Sequence, residues 1–205
     1  MLKYVLSTAL NVEGYCMNPG DIIDYLNGKP IHSQEATLIA GTANAYCTNL
    51  GDVIFKYYSN GNMDAEGLSE LLISIYKAVS NCMLCVDKES IYGVFNKVTS
   101  SKESVVDMLK RYPVDLSYYD SAKDSLINIA IWLISSKPFD KCAQAISLTF
   151  VNVIASHLNC CINIKSFDFD EYRFKRDEYM TRGTKEAYLE FYNFLEKCWC
   201  MKEDK

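Results

Sequence analysis

Nine cysteines and two histidines are the side chains of this sequence best suited to bind a metal or act as nucleophiles. Cys82 and Cys85 form a CxxC pair, and Cys198 and Cys200 lie near the end of the sequence. These four make a zinc site only if the two pairs meet in space, and neither His32 nor His157 is spaced as a ligand partner. The alternative, adopted here, is that the thiols behave as small apolar side chains, so no metal is expected. There is no GxSxG, no phosphate loop and no Cys-His arrangement of a recognisable kind.

A second place for chemistry is the junction SSKPFDKCAQAI, residues 135–146. Pro138 restrains Lys137 to an extended conformation and is pre-set for a turn. The chain leaves one apolar helix here, turns sharply and enters another. The first N–H groups of the second helix then stand without helical partners, and the helix dipole points outward with them, which suits an anion. Lys137 and Lys141 either draw that anion or are simply solvated. Cys142 lies at the helix start, where a thiol pKa can fall.

The elements that position this corner are mostly helical. Pro19 after Asn18 opens a helix with Ile22, Ile23 and Leu26 on one face, and Gly28 stops it. A longer helix is expected from Ser33 towards Phe55. Asp64 caps another, carrying Leu68, Leu71, Leu72, Ile75 and Val79 at helical spacing. Residues 86–99 break the period, and Tyr92, Gly93, Val94 and Phe95 suggest a short hairpin. Ser100 with Glu103 and Ser121 with Asp124 form two cap signatures, and Pro113 ends the helix between them. Two helices near 169–180 and 184–197 close the chain. The expectation is one all-α domain over residues 1–205, mainly helical, with one small β-hairpin.

Composition bounds the function. With 205 residues, 49% of them apolar and 23% charged, the chain can bury a sizeable core. A net charge of −5 and the lack of basic runs argue against nucleic-acid binding. The apolar stretch 143–158 is short for a bilayer and is interrupted by Gln144, Asn152 and His157, so no membrane span is expected. Glu13 breaks the opening apolar stretch too early for a secretory signal, which points to a cytoplasmic protein with reduced thiols.

The junction and its surroundings resemble the Fic (Fido) domain family, which joins two core helices by the motif HPFx[DE]GNxR. The stretches DSLINIAIWLIS before the corner and SLTFVNVIASHLNCCINI after it are similar to the family's flanking helices. STALNVEGYCMNPGDIIDYLNG resembles its N-terminal segment, IYGVFNKVTSSKESVVDMLKRY its flap and following helix, and TRGTKEAYLEFYNFLEKC its ending. The resemblance implies a Fic-like bundle around a central helix pair, with Tyr92–Phe95 as the β-hairpin flap. It also implies transfer of AMP from ATP, with magnesium, to a protein hydroxyl.

The motif residues depart from that chemistry. Lys137 stands where the family has its histidine base, and an ammonium with a pKa near about 10 accepts no proton at neutral pH unless deeply buried. Pro138 and Phe139 match. Asp140 falls one position early, and Lys141 takes the place of the magnesium-holding acid. Cys142 and Ala143 replace Gly-Asn, and Ala145 replaces the phosphate-gripping arginine. Losing a general base costs about 10² to 10⁴ in rate, and losing one anion-hole donor about 10² to 10³.

Glu13 and Gly14 match the end of the family's inhibitory [ST]xxxE[GN] helix, whose glutamate pairs with a motif arginine. Ala9 takes the Ser/Thr place and Leu148 that of the arginine, leaving Glu13 either to pair with Lys137 or Lys141 or to face solvent. The resemblance thus implies a pseudoenzyme without cofactor. It would bind a protein, another Fic protein or a host protein, or an anionic ligand in the old groove, in its own cytoplasm or a host cytosol. The alternative is a diverged nucleotidyltransferase using ATP and magnesium, and a third reading is a helical bundle unrelated to the family.

Overall fold

The computed structural model describes residues 2–14, 19–29, 51, 64–82, 105–136, 139 and 143–201. Over these residues the chain is mainly helical, with one two-stranded antiparallel sheet.

Helix α1 (Leu2–Val12) buries Val5, Leu6, Ala9, Leu10 and Val12. It ends in a turn in which the Gly14 N–H donates to the Asn11 carbonyl at 3.0 Å. Gly14 has φ +92°, a left-handed conformation that favours glycine. That stop leaves Glu13 at the end of α1. Helix α2 (Pro19–Leu26) opens on its proline and closes before Gly28 at φ +81°, as the sequence implies. Helix α3 (Ala65–Cys82) is capped by Asp64, whose Oδ1 accepts from the Gly67 N–H at 2.8 Å. Residues 105–111 are helical and bury Val105, Val106, Met108 and Leu109.

Helix α4 (Tyr119–Ser136) begins two residues before the expected Ser121 cap. The reason is a turn made upstream, where the Asp115 Oδ1 accepts from the Ser117 N–H at 2.9 Å. Asp124 does not fold back on the helix start. It accepts from the Tyr192 hydroxyl, 2.5 Å away on the last helix. Helix α5 (Ala143–Ala155) is the centre of the molecule: every residue from Ala145 to Ala155 is buried. It packs against α1, α3 and α4. Phe139, in the corner between α4 and α5, is buried and stacks on Tyr76 of α3, with ring centroids 4.6 Å apart.

After a short 3₁₀ turn the chain forms strand β1 (Cys160–Ile162). Helices α6 (Phe169–Arg182) and α7 (Lys185–Lys197) follow, and strand β2 (Trp199–Met201) returns to pair with β1. Gly183 at φ +61° ends α6, and the Thr184 hydroxyl accepts from the Ala187 N–H to start α7. The hairpin expected at Tyr92–Phe95 lies outside the described residues, as do most of the helix expected from Ser33 to Phe55 and the Ser100–Glu103 cap. The sheet that is seen stands elsewhere and joins strands far apart in sequence.

Among the described residues no third strand meets the inner edge of β1, and α1 and α5 satisfy it with side chains. The Ile162 N–H donates to the Asn152 Oδ1 at 2.7 Å, and the Ile162 carbonyl accepts from the Asn152 Nδ2 at 2.9 Å. The Thr8 hydroxyl donates to the same carbonyl and accepts from the Ile164 N–H, each at 3.2 Å. Asn11 donates to the Ile164 carbonyl at 3.0 Å. All three side chains are buried. Asn152 thus interrupts an otherwise apolar helix because a buried backbone N–H and C=O need a partner.

Candidate functional site at the start of helix α5

The first turn of α5 offers backbone N–H groups that no carbonyl of the helix can reach. One is taken by the end of α1: the Ala145 N–H donates to the Glu13 Oε1 at 3.2 Å. Gly14 allows the turn beside this contact, since its φ of +92° is a conformation that side chains rarely adopt.

Three further groups converge on the same turn. Gln144 accepts through its Oε1 from the Tyr172 hydroxyl at 2.9 Å and from the Arg176 guanidinium. Tyr172 is fully buried against Phe191 and Phe194. Arg176, only 16% exposed, lies over the Tyr172 ring with its guanidinium carbon 5.7 Å from the centroid, and is held from outside by Asp177 at 2.7 Å. Residues 172 and 176 are four apart on α6, so one helical face presents both.

The electrostatics follow from burial. Desolvation pushes the Glu13 carboxyl above its ordinary range, and the Ala145 N–H and Arg176 pull it back only in part. Burial raises the Tyr172 hydroxyl still further, so it stays a neutral donor. A carboxylate, a helix start and a guanidinium are therefore assembled in one half-buried place. Such an arrangement can hold an anion or be held shut by its own glutamate.

Glu13 is not turned out to solvent: the Ala145 N–H and Arg176 stand beside it. Its pairing with Lys137 or Lys141 involves residues outside the described ones. Lys137, Pro138, Asp140, Lys141 and Cys142 lie outside the described residues, as do Tyr92, Gly93, Val94 and Phe95, where a flap is expected. Phe139 is part of the core, Ala143 opens α5, and Leu148 is buried. Tyr172 and Arg176 were not singled out in the sequence, and Gln144 only as an interruption of an apolar stretch. The only signal was the spacing of Tyr172 and Arg176, which does not reveal what they face.

The residue types at the corner do not fit a magnesium–nucleotide site of the implied kind. By the resemblance alone, Lys141 takes the place of the acid and Ala145 that of the arginine. Among the described residues, no group of three or more His, Cys, Asp or Glu is placed to hold a metal. Also among the described residues, no helix is long and apolar enough to cross a membrane. In comparisons with known proteins, no family model, no curated protein and no solved structure matches the chain.

Proposed function

We propose that this chain is a Fic-fold pseudoenzyme that binds a protein segment in the groove beside the start of α5. The observation that carries the reading is the Glu13 carboxylate seated on the Ala145 N–H, with Arg176 beside it. In the family that the sequence resembles, the corresponding glutamate blocks productive ATP binding. Here it is held by a helix start whose phosphate-gripping arginine is replaced by Ala145. An added anion must displace a carboxylate already bonded there, so a protein segment suits the groove better than a nucleotide. The partner is another Fic protein or a host protein, met in a cytosol.

A second reading rests on Arg176. It brings a cation to the start of α5 from another helix, in place of the missing motif arginine. On that reading the chain is a diverged transferase, and ATP with magnesium is its cofactor once Glu13 moves aside.

Calorimetric titration of the protein with ATP–magnesium separates the two. The binding reading expects no saturable heat, followed by capture of a protein partner that is weakened by Lys141→Glu at the corner. Saturable heat with the wild-type chain overturns it.

A further inference from the structure

The antiparallel register of β1 and β2 sets Cys161 directly opposite Cys200. Their Sγ atoms are 3.8 Å apart, and both are unbridged thiols. Residues directly opposite in such a ladder have Cα atoms about 4.5–5.5 Å apart, inside the range that a disulfide spans. The register therefore gives the pair the separation that a disulfide requires. The two differ in access. Cys161 is fully buried, whereas Cys200 is partly exposed. Both line a cavity of about 440 Å³ that also meets Tyr4, Lys165, Lys197 and Cys198. That volume is within the range of small-molecule sites.

We infer that Cys161 and Cys200 form a reversible redox pair, oxidised to a cross-strand disulfide by a low-molecular-weight disulfide that enters this cavity. Cys200, the accessible thiol, loses its proton and attacks one sulfur of the small disulfide. A mixed disulfide forms and one small thiolate leaves. Cys161, deprotonated in turn, attacks the Cys200 Sγ. The Cys161–Cys200 bond forms, and the second small thiolate leaves. The two protons lost by the cysteines end on the two small thiols, and the small disulfide takes up two electrons.

Cys198 faces the same cavity but lies across the ladder from Asn163, not from Cys161, whose partner in the register is Cys200. Cys160, the neighbour on β1, is engaged instead with the Tyr119 hydroxyl at 3.7 Å. The bond closes a ring that contains α6 and α7, including Tyr172 and Arg176. It ties that helical pair to the strand that follows α5.

The test uses the full chain, reduced and then exposed to glutathione disulfide, with remaining thiols alkylated and the peptides mapped. The expected product is a Cys161–Cys200 peptide pair that dithiothreitol reverses, with loss of two hydrogens and no glutathione retained at either position. The melting temperature should rise on the order of 5–10 °C. In Cys161→Ser, Cys200 should retain the glutathione adduct, because the second attack is missing. In Cys198→Ser, the wild-type bond should still form. Alkylated Cys161 in the oxidised wild-type sample, or Cys200 joined to any other cysteine, overturns the inference.

Discussion

The two ends of α5 answer the same demand with different chemistry. Near its C-terminal end, Asn152, Thr8 and Asn11 satisfy the open edge of β1 with neutral hydrogen bonds only. At its start, a helix N–H without a helical carbonyl is satisfied by a carboxylate, with an arginine and a buried tyrosine close by. Helix α1 supplies groups to both ends. The difference lies in what can replace the partner. A buried amide between two backbone groups has no rival, because water is excluded and the geometry is fixed on both sides. A carboxylate on a helix start can be protonated, or displaced by another anion. The first arrangement is a structural joint. The second can switch.

The comparison breaks most visibly at the joint. Asn152→Leu leaves the Ile162 N–H buried and unpaired, and should cost about 2–4 kcal/mol in urea denaturation at neutral pH. A loss under about 1 kcal/mol would mean that the edge of β1 finds water, and the contrast with the other end would fail. Gln144→Leu should cost less, about 1–2 kcal/mol, because it strands the Tyr172 hydroxyl while Arg176 keeps Asp177. Equal costs at the two ends would say that both are rigid joints.

The smallest effect is the most diagnostic. Folded Glu13 holds its proton more tightly than the unfolded chain does, since burial is the largest influence on it. Its protonated form therefore adds stability at low pH, and that stability is lost as the pH rises through the raised folded value. Glu13→Gln imitates the protonated form. Its stability relative to wild type should improve between about pH 4 and about pH 7, whereas the Asn152→Leu deficit should stay constant across that interval. A pH-independent Glu13→Gln difference would place Glu13 in solvent-like surroundings.

Much of this fold could be read from sequence where the signal is local. Pro19 and Gly28 bound a helix, Asp64 caps another, and the apolar run after the corner is the central helix. These features act within a few residues of themselves. The failures have one physical origin: partners distant in sequence. Asp124 had the spacing of a cap but bonds Tyr192 across the bundle. Strands of three residues carry too little periodicity to be seen, and β1 read as the tail of α5. At the site, Glu13 and Gly14 stood out through the resemblance to the family's inhibitory helix. Gln144 read only as an interruption of an apolar run, and Arg176 as one more charge on a polar helix. What makes them matter is that Tyr172 and Arg176 of α6 bond Gln144 at the start of α5, and no local pattern encodes that meeting.

The central proposal is that the start of α5, where the Glu13 carboxylate sits on the Ala145 N–H, performs no nucleotide transfer. Incubation of the wild-type chain with labelled ATP, magnesium and protein acceptors tests it most directly, beside an intact Fic enzyme that labels its target. The account predicts no label on any acceptor or on the chain itself. Label transferred by the wild-type chain, and lost on Lys137→Ala, would contradict it.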